Sequence, residues 1–297
     1  NLIAVAVESY TLVRYLEDDG PNGLGQTLGI DIDTSHLVME SLSFGTSFTT
    51  ALMAATDKFK GAVQSVGSGG MLTLNLPMAP NNAALAGGIL RTILGLQSSI
   101  AEVNAGAFRD PMLAFEQWLS QRGDPAGYSP FVLRHREDTH ALHVLGSGDS
   151  WDETLNSPAQ LSFNAAWGLP VFEAGADWTL DATIPGADTI TATAAPAQVS
   201  GNLSFGTPAR TQTAAFFYNA AACHAQVVTP ICSSGYAPPY PPITPRATSV
   251  VSISPICALQ APTITFLTDL LAGQTPKIKP PAAKSTWLDA CDDLYLP

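Results

Sequence analysis

Apolar and polar positions along the chain alternate between two periods, and their order predicts the architecture. Ile3, Val7, Tyr10, Leu12 and Leu16 recur at roughly helical spacing, and the pattern stops at Asp18-Asp19-Gly20. A loop rich in Gly, Pro and Asn runs to about Gly29. His36–Ser43 then reads as a short buried strand, Phe48–Ala55 as a helix, and Phe59–Val66 as a second strand closed by Gly67-Ser68-Gly69-Gly70. Strands that alternate with helices at this spacing predict βαβ units and a parallel sheet, an α/β fold. The rhythm breaks over residues 71–130. There Leu85, Ile89, Ile93, Leu96 and Ile100 share one helical face and Met112, Phe115 and Leu119 another, the latter helix opening at Asp110-Pro111. This segment is a helical insertion, a lid or cap, between two parts of one core, residues 1–70 and 131–297. Sheet patterning resumes at His140–Leu145, with a helix near Pro158–Trp167, a strand at Thr211–Asn219, a Pro/Tyr-rich loop at Ser233–Pro245 and a last helix, Thr263–Ala272, ended by Gly273.

Composition narrows the function. The 297 residues carry 13 Lys+Arg against 25 Asp+Glu, a net charge of −12, and 46% of them are hydrophobic. So large an apolar share excludes a disordered chain, and no basic cluster exists to neutralise a run of phosphates, which argues against nucleic acid. The longest apolar stretch, Ala83–Leu96, is too short to span a bilayer and carries Arg91. The chain opens at Asn1 without a basic and then apolar leader, which reads as a processed or truncated product. Four cysteines, Cys223, Cys232, Cys257 and Cys291, lack metal-site spacing and favour two disulfides; of three pairings, Cys223–Cys232 and Cys257–Cys291 close the most local loops. No metal or organic cofactor is implied. Asp31 and Asp33 suit a turn better than a calcium site. Few lysines and much Ala, Ser, Thr and Gly suggest an exported protein.

The stretch Ser41-Leu-Ser43-Phe-Gly45 lies between a strand and a helix. Such a turn lifts a serine Oγ above the sheet edge and aims the following backbone N–H, here that of Phe44, at a developing oxyanion. The usual order is G-x-S-x-G, and Ser41 stands in place of the first glycine. Small flanking residues are expected because helix and strand pack closely there. The alternative frame, Gly45-Thr46-Ser47-Phe48-Thr49, would make Ser47 the nucleophile but puts a β-branched residue in the tight second position. A plain N-cap cluster is the non-catalytic reading. A serine nucleophile requires a histidine base and an orienting acid, in the chain order Ser, acid, His. Of His36, His135, His140, His143 and His224, only His224 leaves room for a strand-borne acid after Ser43. Asp149, in the turn after the His140–Leu145 strand, is the candidate acid, with Asp152 as alternative.

Residues 30–70 and 140–280 resemble the α/β-hydrolase fold, and within it the large exported lipases and esterases of Gram-negative bacteria. Ser41–Val63 resembles their nucleophile turn, helix and next strand, and Gly69-Gly70-Met71-Leu72 their following glycine turn. Asp124-Pro125-Ala126-Gly127-Tyr128 is similar to the motif closing their lid. Gly148-Asp149 followed by Gly168-Leu169-Pro170 is similar to their acid turn and the end of its helix. Cys223-His224-Ala225 stands where they have G-H-F, and Phe266–Leu271 resembles their final helix. The resemblance implies a secreted or cell-envelope serine hydrolase that cleaves carboxylic esters through Ser43, Asp149 and His224, with a lid that favours apolar acyl groups. In that family the nucleophile follows the fifth of eight strands, whereas 42 residues with one helix precede Ser43 here. The expectation is therefore a second polypeptide, the other part of a cleaved precursor, that pairs along His36–Ser43 and completes the sheet. A non-catalytic binding or surface-assembly protein on the same frame is the rival reading.

Overall fold

The structure, a computed structural model, describes residues 2–18, 20, 22–43, 45–70, 115, 118, 121–134, 139–147, 157–176, 178–180, 182, 186–205, 210–219, 231–232, 252–253 and 256–281. In chain order the elements are α1 (Leu2–Glu17), α2 (Leu24–Leu28), β1 (Leu37–Leu42), α3 (Gly45–Ala55), β2 (Phe59–Ser65), α4 (Pro125–Arg134), β3 (His140–Ser147), α5 (Ser157–Trp167), β4 (Val171–Glu173), β5 (Ala192–Ala194), β6 (Leu203–Phe205), β7 (Arg210–Gln212), β8 (Ala214–Asn219), β9 (Ile231–Cys232), β10 (Ser252–Ile253) and α6 (Ile256–Leu271).

Six strands form one sheet in the order β1-β2-β3-β8-β4-β5, and every pairing in it is parallel. The expected α/β architecture is therefore present. Its strands read as near-continuous apolar runs because both faces are covered. Along β8 the buried side chains alternate: Ala214, Phe216 and Tyr218 join a core with α3, α4 and α5, while Ala215 and Phe217 join a core with Leu259, Phe266 and Leu270 of α6. Ala62 and Val63 of β2 divide the same way. Trp167 and Trp178 are fully buried, one on each side of the sheet.

Several expectations change in detail. The strand expected at Thr211–Asn219 is two strands: β7 turns back antiparallel on β6, and β8 joins the main sheet. The break falls at Thr213, whose N–H donates to His140 Nδ1 at 2.8 Å instead of extending a ladder. The last helix begins seven residues earlier than expected and ends at Leu271, with Gly273 just beyond it at φ 67°. Helix α4 crosses residue 130, the expected far limit of the insertion, as one continuous element. Asp124 caps it by accepting from the Ala126 N–H at 2.9 Å, with Pro125 at the first helical position, and its Val132 and Leu133 belong to the core. Of the expected lid helices, Phe115 and Trp118 are described; both are helical and exposed, with rings stacked 5.8 Å apart. Residues 71–114, 116–117 and 119–120 lie outside the described residues.

Strand β1 is the edge of the sheet among the described residues, as expected from the short segment before Ser43. Its side chains are not bare, however. Leu37 and Met39 pack against the core on the α3 side and Val38 against that on the α6 side, all three half-buried. What β1 leaves without a described neighbour is its outer hydrogen-bonding edge. No described helix is long and apolar enough to cross a membrane.

Candidate functional site

A parallel sheet brings every strand's carboxyl end to one edge, and the turn after β1 sits there. Ser43 adopts φ 56°, one of two non-glycine residues with positive φ among those described. L-residues pay about 1–2 kcal/mol for this conformation, so it persists only where the surroundings enforce it. The enforcing contacts lie on both sides of the residue. The Ser43 N–H donates to the Ser65 carbonyl at 2.9 Å, which extends the β1–β2 ladder by one step. The Ser43 carbonyl accepts twice from Thr46, from its N–H at 3.0 Å and from its hydroxyl at 2.6 Å. The second positive φ belongs to Val66, at 46°, immediately after Ser65. For a β-branched residue this is an outlier. Two strained turns therefore stand side by side at the ends of β1 and β2.

Beneath the turn runs a buried polar network that links β1, α3 and β2. Ser41 Oγ lies 3.0 Å from Thr49 Oγ1, and Gln64 Nε2 donates to Thr49 Oγ1 at 3.1 Å and Thr50 Oγ1 at 3.2 Å. Thr50 Oγ1 in turn donates to the Thr46 carbonyl at 2.7 Å. The serine in place of the first glycine is thus not merely accommodated; its hydroxyl is the β1 end of the network. The second glycine is less confined than its place in the motif suggests. A Cβ on Gly45 would meet only Ser41 Cβ, at an ordinary 3.7 Å. Close approach occurs instead at Gly67, where a Cβ would collide with Phe163 Cε1 and lie 3.0 Å from Thr46 Oγ1. The residue after Val66 must be glycine for the β2 turn to cross the start of α3.

Ser47, the alternative nucleophile, is the third residue of α3 and is 4% exposed, whereas Ser43 is half-buried. Phe44, Asp149, Asp152, His224, Cys223 and Cys291 lie outside the described residues. So do the side chains of Cys232, which pairs with Ser252 across β9 and β10, and of Cys257 in α6. Ser147, the last residue of β3, is in register with Asn219, the last of β8, so the segments that carry Asp149 and His224 leave the same sheet edge as the Ser43 turn.

Other candidates resolve into structural roles. His140 is buried and accepts from Thr213 through Nδ1, which fixes β3 against β8. Asp33 caps a turn, accepting from the Ser35 N–H at 2.8 Å and from its hydroxyl, and these bonds hold its carboxyl below the usual range. The described residues contain no group of three or more His, Cys, Asp or Glu that could hold a metal ion. The polar network and the Val66 turn were missed from sequence. Their signals are a Thr-rich helix start, where β-branched hydroxyls are poor helix formers, and Gln64, a polar residue inside an otherwise buried strand.

No family model and no curated protein matches the chain. Among solved structures it is similar to a puromycin-hydrolysing peptidase of Mycobacterium tuberculosis, at 16% identity and a TM-score of 0.31 over 55% of this chain and 20% of that one. It is also similar to an acylaminoacyl peptidase of Pyrococcus horikoshii, at 11% identity and a TM-score of 0.34 over 70% of this chain and 23% of that one. The matches therefore span about a fifth of those chains' length.

Proposed function

We propose that the protein is a serine hydrolase that cleaves carboxylic esters, with Ser43 as nucleophile, His224 as base and Asp149 as the acid that orients it. The observation that carries this reading is the Ser43 turn: a non-glycine residue held at positive φ between a parallel strand and a helix, with its N–H and carbonyl both pinned. The placement of the other two is supported by reach. Adjacent strands are about 4.8 Å apart, so β3 and β8 lie roughly 10 and 14 Å from β1 across the sheet. Asp149 follows Ser147 by two residues and His224 follows Asn219 by five, spans of at most about 7 and 17 Å. Both can meet above the sheet edge.

In this mechanism Ser43 Oγ attacks the ester carbonyl carbon while His224 takes its proton, and Asp149 stabilises the imidazolium. The Phe44 N–H holds the oxyanion. The carbon–oxygen bond to the alcohol then breaks, His224 returns its proton to the departing alkoxide, and the acyl group stays on Ser43. Water, deprotonated by His224, releases it as the acid. Residues 71–124, ahead of α4, form a lid that favours apolar acyl chains. A further polypeptide pairs along β1, the edge strand of the sheet among the described residues, and supplies the second oxyanion donor. The protein is exported by a Gram-negative bacterium, and its cysteines form two disulfides.

Hydrolysis of a medium-chain p-nitrophenyl ester by native material tests the triad. Ser43→Ala, Asp149→Ala and His224→Ala each drop turnover by about 10³-fold or more, and Ser47→Ala leaves it near wild type. Loss with Ser47→Ala alone overturns the nucleophile assignment. Native size exclusion with mass detection tests the partner: an active, monodisperse monomer of the 297-residue chain contradicts it.

A further inference from the structure

We infer that Thr46 is a positioning residue for the hydrolytic site, acting through the Ser43 carbonyl; the inference rests on Ser43 being the nucleophile. Thr46 is fully buried, and its hydroxyl donates to the Ser43 carbonyl at 2.6 Å beside the 3.0 Å bond from its own N–H. One donor would leave that carbonyl free to swing about the other; two fix its direction. A peptide unit is planar, so the plane set by the Ser43 carbonyl also sets the direction of the amide that follows. That amide is the proposed oxyanion donor. Its aim matters because such donors act only when already directed at the place where charge develops.

Three further observations favour this role over simple helix capping. The hydroxyl bond spans the turn at the residue held at φ 56°, where strain is stored and restraint is needed. The Thr46 carbonyl is itself held by Thr50 Oγ1 at 2.7 Å and Thr49 Oγ1 at 3.1 Å, so the residue that holds the turn is anchored to the Gln64 network behind it. And Gly67 of the β2 turn stands beside Thr46: a Cβ there would lie 3.0 Å from Thr46 Oγ1, so glycine leaves the hydroxyl uncrowded in its bond to Ser43.

The test is the kinetics of a fluorophosphonate probe on native protein, with saturation binding separated from the bond-forming step. Thr46→Val removes the hydroxyl and keeps the shape. It slows the bond-forming step about 10- to 100-fold, with the half-saturating probe concentration unchanged, below the cost of deleting a donor outright. Thr46→Ser restores the wild-type rate. If Thr46→Val fails to fold, Thr46→Ala and Thr46→Ser give the same contrast. A Thr46→Val protein that labels at the wild-type rate overturns the positioning role while Ser43 stands. Labelling that survives Ser43→Ala, or none in the wild type, overturns the nucleophile assignment and this role with it. Equal slowing in Thr46→Val and Thr46→Ser assigns the effect to packing and also overturns it.

Discussion

Helices α1 and α3 pack against each other, yet they invert the usual relation between hydropathy and burial. Among the described side chains of α1, Val13 is buried, while Val7, Tyr10, Leu12 and Tyr15 are exposed. In α3, Thr46, Ser47, Thr49 and Thr50 are buried together with Leu52 and Met53. Position decides the difference. Helix α3 grows directly out of the turn after β1 and lies over the sheet, so its polar residues are enclosed and must satisfy each other, as the Gln64 network does. Among its described side chains, helix α1 contributes Val13 to the core, and it packs against α3. The restrained side of the molecule is the side that carries the candidate site.

Substitution of one apolar side chain in each helix sharpens this contrast. Met53→Ala removes a side chain that is 1% exposed and lowers unfolding free energy by about 2–5 kcal/mol, whereas Leu12→Ala, at 55% exposure, changes it by no more than about 0.5 kcal/mol. Denaturant melts of the two variants measure the difference, and equal losses would mean that α1 is covered in the native protein. Gly67→Ala comes next. Its Cβ would collide with Phe163, so it costs about 1–3 kcal/mol, and because the same Cβ crowds Thr46 it also lowers the rate of probe labelling. A Gly67→Ala protein as stable and reactive as the wild type breaks the link between the β2 turn and the site.

The smallest effects lie at two charged groups near the surface. The Asp33 carboxyl is held low by Ser35, so its contribution is present above the ordinary carboxylate pKa and fades as pH falls through the lowered one. Lys58 is held high by Glu17 at 2.6 Å, so its contribution is present below the ordinary lysine pKa and fades as pH rises through the raised one. Asp33 is exposed and Lys58 half-buried at the surface. Stability curves of Asp33→Asn and wild type therefore differ slightly, the gap closing under strong acid; a large gap near neutrality would contradict the turn-cap role.

The elements legible in the sequence are those with a sustained period: α1, β1, α3, β2, β3, α5 and the body of α6. β4 and β5 were not legible, because three residues each cannot display a period. The division of β7 from β8 was hidden for another reason. Thr211–Asn219 is one uninterrupted run, and it breaks because His140, seventy-three residues away in sequence, claims the Thr213 N–H. At the site, the order strand, Ser43, helix could be read directly. The restraint on Ser43 could not, since Ser65 and Gln64 act through contacts that the parallel pairing of β1 with β2 creates, and the bonds from Thr46 form only once the turn has closed.

The most direct test of the account is peptide mapping by mass spectrometry after fluorophosphonate treatment of the native protein. The adduct is expected on Ser43, at one site, and its formation is blocked by prior reaction with an ester-like inhibitor. An adduct on Ser47 or any other residue, or an unmodified protein under conditions where the native assembly is intact, would contradict the claim that the strained turn after β1 carries a catalytic serine.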